Sequence, residues 1–337
     1  MAARLCDSFD AYLTADLLLR WTTKFNIVTI NAGTGRNSTS SLHVGSPNGQ
    51  VTKTLDNQAT WIIGVAFQTN LFTAGNGLPL LLVIDNTTTQ VDLRYDSNGH
   101  LYVTRNGTTL GTSILTLTAG AYAYIELKVL INSTVGTIDL HVNGTSWLSL
   151  TGQNTQASAN AYAQVIQLGT DTGNTATWDY DDLYVLDGTG SANNAFLGDT
   201  RVQALRSTGA GHSTQFALGA GTSNWEAVSE ATEDGDTTYV DSATAGQIDT
   251  YTFGALTPVS GTIPFIQTML VARKDDAGIR TVADVISDGI TDHVGASNNV
   301  GTSYQQWLTI HETDPVTSAA FTLANVNARQ YGVEEVA

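Results

Sequence analysis

The chain of 337 residues carries 14 Lys and Arg against 31 Asp and Glu, a net charge of −17, and only 13% of its residues are charged, about half the usual share of roughly 25%. Nucleic-acid and anionic-membrane binding need clustered cations, and the densest basic stretch, Arg273-Lys274, runs straight into Asp275-Asp276, which argues against both. Cys6 is the single cysteine, so an internal disulfide and a Cys-based zinc site are excluded; no window approaches the roughly 20 apolar residues of a membrane span, and the first residues lack the apolar core of a secretion signal, so synthesis in a cytoplasm is expected.

The predicted elements are strands. In the first half they cover residues 61–67, 80–84, 90–95, 100–104, 122–131, 137–142 and 147–150. Asn-Gly pairs punctuate this half at 48–49, 76–77, 98–99, 106–107 and 143–144. Both residues tolerate positive φ, so the pair favours a two-residue hairpin turn, and repeated hairpins predict antiparallel sheets. Within 137–142, Ile138, Leu140 and Val142 alternate with Thr137, Asp139 and His141, the period of a half-buried strand. In the second half strands are expected at 201–206, 250–253, 265–273, 280–286, 304–311 and 331–336. Asp275-Asp276-Ala277-Gly278 reads as a hairpin turn, and 322–328 as one short helix with Thr322 as N-cap.

A boundary is expected in the Gly/Ser/Asn stretch Gly188–Asn194. Up to residue 193 the only glutamate is Glu126, and the other six follow it. The fold expected is all-β, two antiparallel β-sandwich (jelly-roll) domains at residues 1–190 and 191–337.

Several segments carry a resemblance. Asp7-Ser8-Phe9-Asp10, residues 93–103, Thr137–Gly144 and the strand Trp178-Asp179-Tyr180-Asp181-Asp182-Leu183-Tyr184-Val185 together resemble the concanavalin A-like (laminin G-like) sandwiches over residues 5–190. With residues 194–199, 273–278, Glu312-Thr313-Asp314-Pro315 and the end from Asn325 to Glu334, the whole chain resembles a two-domain protein of tailed bacteriophages and prophages. That resemblance implies a virion structural protein of tail, tail tip or fibre, neck or head surface. It also implies other virion proteins as partners and a homo-oligomer, with a trimer expected.

Catalytic signatures are thin. A retaining glycosidase needs two carboxylates roughly 5 Å apart, which enzymes of the resembled fold place on one strand as Glu-x-Asp-x-Glu. Glu126 lies between Ile125 and Leu127 with no carboxylate two residues either way. No Gly-x-Ser-x-Gly elbow is present, and no two of the six histidines lie within five residues of each other. The chain therefore reads as a non-enzyme.

Two candidate binding sites remain. Asp179, Asp181 and Asp187 are candidate Ca²⁺ ligands, since Ca²⁺ takes six to eight oxygens; the alternative, and the favoured reading, is buried strand-end carboxylates that accept backbone hydrogen bonds. The acidic loop Glu233-Asp234-Gly235-Asp236 reads as a solvated turn. Trp178, Tyr180 and Tyr184 share a face by parity with Asp182 between them, and Trp147 follows a tight turn. These five are the candidate host-glycan contacts, with packing in the interior as the alternative. The ranked functions are a virion structural protein, a glycan-binding adhesin, and a polysaccharide-cleaving enzyme.

Overall fold

Strands follow one another at short intervals: β1 (Ala3–Asp7), helix α1 (Leu17–Arg20), β2 (Thr23–Asn31), β3 (Ser41–Gln58), β4 (Thr60–Thr69), β5 (Leu78–Asp85), β6 (Thr88–Tyr95), β7 (His100–Arg105), β8 (Thr108–Thr116), β9 (Ala123–Leu130), β10 (Gly136–Val142), β11 (Thr145–Gln153), β12 (Ala163–Thr170) and β13 (Trp178–Asp187). The computed structural model describes residues 2–72, 77–170, 173, 175–257 and 261–337. It divides the chain into two units, Met1–Val202 and Gln203–Ala337.

Every pairing in the first unit is antiparallel. The strand order is β11-β10-β9-β4-β13-β3-β12-β5-β6-β7-β8, with β1 on β13 and β2 on β3. One continuous path serves two sheets because β3 belongs to both. Its residues 42–44 pair with β13, and residues 49–58 pair with β12. The apolar faces meet in a core of aromatic rings. Phe67 lies 5.3 Å from Tyr180 and 6.1 Å from Tyr95. The Trp178 indole donates to the Tyr95 hydroxyl at 2.7 Å, and the Tyr180 hydroxyl donates to Leu80 O at 2.8 Å, so the polar ends of these rings are satisfied where they are buried. The unit is a two-sheet antiparallel sandwich.

The turn chemistry resolves into different uses. Asn106-Gly107 and Asn143-Gly144 hold positive φ at both positions and close the β7–β8 and β10–β11 hairpins. At Asn98-Gly99 only the glycine is left-handed, in the wider β6–β7 turn. Asn48-Gly49 lies within β3 and closes no hairpin. Asn76 lies outside the described residues.

The second unit comprises β14 (Ser207–Thr214), β15 (Ala217–Ala220), β16 (Tyr239–Asp241), β17 (Ile248–Phe253), β18 (Ile266–Ala272), β19 (Thr281–Ser287), β20 (Asp292–Val294), β21 (Asn298–Asn299), β22 (Gln305–His311), helix α2 (Leu323–Ala328) and β23 (Gln330–Glu335). Its main sheet runs β14-β17-β23-β19-β20 with β21 on β19; β15–β16 and β18–β22 form separate antiparallel pairs. Thr322 caps α2 by accepting from Asn325 N at 3.1 Å.

Three sequence expectations change. Residues 201–206 form no strand; Val202 N donates to the Asp182 carboxylate at 2.8 Å instead of joining a ladder. The turn after Arg273 closes no hairpin, because β18 pairs with β22 while β19 pairs with β20, β21 and β23. The Gly188–Asn194 stretch does not divide the units, because the residues after it dock on the first unit.

Candidate functional site

The strand β13 organises the first unit's polar face. Asp181 pairs with Ala66 and Tyr184 with Gly64, so Asp182 and Leu183 together oppose the single Val65. This is a β-bulge, and its first residue, Asp182, takes the left-handed conformation at φ 51. The extra residue shifts the alternation. Trp178, Tyr180 and Val185 face the core, whereas Asp179, Asp181 and Tyr184 share the opposite face.

The shift overturns the aromatic site expected by parity. Trp178, Tyr180 and Tyr184 are each 0% exposed, and Asp182 is 3% exposed. A sugar has no access to any of these rings. Trp147 is half-buried on β11, four strands away from β13 in the sheet order, so it does not complete a site with them.

The candidate calcium ligands do not converge either. Asp179 accepts from Ser41 Oγ at 2.8 Å and His43 Nδ1 at 3.0 Å. Asp181 accepts from Arg36 N at 2.7 Å, Thr39 Oγ1 at 3.0 Å and Asp182 N at 2.7 Å. Asp187, fully buried, takes Arg4 Nε at 2.6 Å and both the amide and hydroxyl of Thr189. Each carboxylate has its own donors. No group of three His, Cys, Asp or Glu fit to hold a metal ion occurs among the described residues. In the acidic loop of the second unit, Asp236 is held by Arg273 and the Tyr304 hydroxyl.

Burial shifts two of these groups. Burial, reinforced by the charge of Asp182, raises the Asp181 carboxyl to about 7 against the pull of its donors. Asp182 is raised to about 6, chiefly by burial, while Val202 N, Arg36 and Arg201 lower it.

Beyond the bulge the face is closed by the chain itself. Tyr184 donates its hydroxyl to Glu126, and the same carboxylate accepts from Gly198 N at 2.8 Å. Leu197 N donates to the Tyr184 hydroxyl at 3.2 Å. Phe196 packs on His141 at 4.5 Å between ring centres. Residues 196–202 thus form a strap over the sheet, and Arg36 ties it down through Asp199 at 2.6 Å and Asp182 at 3.0 Å. Glu126 is a sealed structural carboxylate.

On the other side of Asp181 the same face is only partly covered among the described residues. The register places Thr29 beside His43, His43 beside Asp179, and Asp179 beside Gln68. These four lie on adjacent strands β2, β3, β13 and β4, and all are half-buried. Neighbouring strands are about 4.8 Å apart, so the row is about 14 Å long. Tyr122, half-buried just before β9, flanks it; its hydroxyl donates to Thr34 O at 2.9 Å. Burial, with the charges of Asp179 and Asp181, pushes the Tyr122 hydroxyl well above its ordinary range, so it acts as a neutral donor. Asp179 fixes one imidazole nitrogen of His43 and leaves Nε2 to meet a ligand. This row is the candidate site: one aromatic ring beside an amide, an imidazole, a carboxylate and a hydroxyl.

Within the chain, the row's signal is faint. Ser41-Leu42-His43-Val44 shows the period of two, with Leu42 and Val44 buried and His43 facing out. The cross-strand neighbours His43 and Asp179 are 136 residues apart, a pairing that no local spacing reveals.

No family model matches the sequence, and no curated protein sequence matches it either. Among solved structures, the chain is similar to a cellulose induced protein, Cip1, at 13% identity and a TM-score of 0.42, covering 60% of this chain and 100% of that one. A sialidase matches at 11% identity and a TM-score of 0.42, covering 55% of this chain and 18% of that one. A conserved carbohydrate esterase from the Shiga toxin-encoding bacteriophage phi24B matches at 15% identity and a TM-score of 0.37, covering 55% of this chain and all of that one.

Proposed function

We propose that the chain is a structural protein of a bacteriophage particle, made in the bacterial cytoplasm and carried in the virion as a homo-oligomer, and that its first unit contacts host-surface glycan. The single observation that carries the glycan contact is the row Thr29–His43–Asp179–Gln68 beside Tyr122. A pyranose stacks its C–H face on an aromatic ring and exchanges hydrogen bonds with amide, imidazole and carboxylate groups, the few convergent polar groups that define such a site. The virion assignment is supported by the sequence resemblance and by the two β-rich units. Binding without cleavage is supported by the carboxylates: Asp179 is committed to Ser41 and His43, and Glu126 is sealed under the strap.

The test has two arms. Antibody against the chain is expected to label purified particles in electron micrographs, and unlabelled particles would sink the virion assignment. On a glycan array, the intact protein is expected to bind, and Tyr122→Ala or His43→Ala to lose at least about tenfold in affinity, roughly 1.4 kcal/mol. Binding untouched by both substitutions would remove the row from the proposal.

A second reading, a polysaccharide-cleaving enzyme, has one observation in its favour. His43, oriented by Asp179 at 3.0 Å, has the geometry of a general base. New reducing ends released from host capsule or lipopolysaccharide would establish it.

A further inference from the structure

The charge inventory of the row narrows its ligand. Its five residues include no Lys or Arg, and its one formal charge in the carboxylate state is Asp179. Of the cations over the same sheet face, Arg36 is bound to Asp182 and Asp199, and Arg201 acts on Asp182 and Asp10. Lys128 pairs in register with Ile62, six residues along β4 from Gln68, which is about 20 Å at the strand rise. Acidic sugars are normally gripped by the planar fork of Arg or by the ammonium of Lys, and the row itself offers neither. Its atoms instead suit hydroxyls. Ser41 and His43 both use Asp179 Oδ1, so Oδ2 is left to accept a sugar hydroxyl. The Gln68 amide both donates and accepts, and His43 Nε2 accepts when Nδ1 donates to Asp179.

We infer that the row takes uncharged sugars and discriminates against sugars bearing carboxylate, sulfate or phosphate. The inference rests on the glycan-contact reading above and adds the ligand's chemical class to it. An acidic group placed against Asp179 meets like charge with no counter-cation, whereas a hydroxymethyl group in the same place meets an acceptor.

The test is an array, read at pH 8 with the intact chain, that pairs each uncharged oligosaccharide with its C6-carboxylate counterpart. The uncharged member is expected to bind at least about tenfold more tightly, equivalent to about 1.4 kcal/mol. Two substitutions probe the cause. Gln68→Arg supplies the missing cation and Asp179→Asn removes the repelling charge, and each is expected to bring the ratio towards one by strengthening the carboxylate member. Circular dichroism identifies any variant that fails to fold, and either variant alone suffices for the comparison. Equal or tighter binding of the carboxylate members by the unsubstituted chain overturns the inference and leaves the glycan-contact reading standing. So does a folded Gln68→Arg or Asp179→Asn with the original ratio. Absence of binding to every member overturns the glycan-contact reading, and the inference falls with it.

Discussion

Single residues of the first unit hold buried charge in place, and Asp7 shows how tightly. Its carboxylate is wholly buried and accepts from the Tyr12 hydroxyl at 2.8 Å and Phe9 N at 2.9 Å, with the Arg20 guanidinium at 3.4 Å. Phe9 sits at φ 58, in the left-handed region that a bulky residue rarely takes; Asp7 holds that turn while the ring stacks on Trp21 at 6.3 Å. Asp7→Ala would remove the carboxylate that faces the guanidinium of Arg20, a residue only 5% exposed. The expected loss is about 3–5 kcal/mol, read as a lower urea midpoint for the first unit; a loss below about 1 kcal/mol would mean that Arg20 finds water. Trp178 makes the complementary point. Trp178→Ala empties a fully buried site and is expected to cost about 3–5 kcal/mol. Its effect on glycan binding should then appear only as a smaller folded fraction, the opposite of the selective loss expected for His43→Ala.

At the scale of elements, the bulge in β13 and the strap of residues 196–202 depend on each other. The bulge turns Tyr184 onto the polar face, where its hydroxyl and Glu126 receive the strap's amides. Gly64 makes room for it, since a Cβ there would collide with the Tyr184 ring. Gly64→Ala is therefore expected to destabilise by about 1–3 kcal/mol. The two carboxyls at the bulge also set a pH response. Asp181 and Asp182 carry raised carboxyls against an ordinary value near 4, so the folded state binds protons more readily than the unfolded chain. Their contribution to stability is fully present below about pH 4 and is lost as pH rises through about 6 and 7. The thermal midpoint of the first unit should be higher at pH 5 than at pH 8, and Asp181→Asn should flatten that difference. A midpoint that rises with pH over this range would contradict the account. The sequence made the strands around this site legible: β4, β6, β7, β9 and β10 follow the predicted runs closely, because short apolar runs bounded by turn residues mark buried strands such as β4 and β9, and one-face burial adds a period of two in β10. It left the bulge illegible. Parity holds only while each residue opposes one partner, and Asp182, which tolerates positive φ, breaks the count inside an otherwise regular strand. The row at His43 was hidden for a different reason, being assembled from four strands whose register is set by long-range pairing.

For the whole molecule, composition and turn chemistry were enough to read an all-β chain with antiparallel sheets, yet composition misplaced the division of the chain. A Gly/Ser/Asn stretch reads as a linker, but the strap that follows it is docked on the first unit, and the contacts divide the chain after Val202. The two units also differ in their dominant carboxyl shifts: Asp181 and Asp182 of the first are raised, whereas most shifted carboxyls of the second are lowered, Glu334 being raised. In the second, burial pushes Asp284 up, but hydrogen bonds and charge from His311 with a hydrogen bond from Thr268 outweigh it, and the carboxyl lies below its ordinary range. Asp314 behaves alike, with Arg329, Val316 N and Thr317 outweighing burial. Carboxyls lowered in this way stabilise above the unfolded value near 4 and lose that contribution as pH falls through the folded one. The raised Asp181 and Asp182 act in the first unit between about pH 4 and 7, and the lowered Asp284 and Asp314 act in the second below about pH 4. Calorimetry should therefore resolve two transitions. From pH 8 to 5 the first unit's transition moves up more than the second's, where Glu334 is the raised carboxyl; from pH 5 to 3 the second's moves down. Separate expression of Gln203–Ala337 assigns the peaks. A single transition that shifts as one body at every pH would show instead that the units unfold together, with their opposing carboxyls averaged into one response.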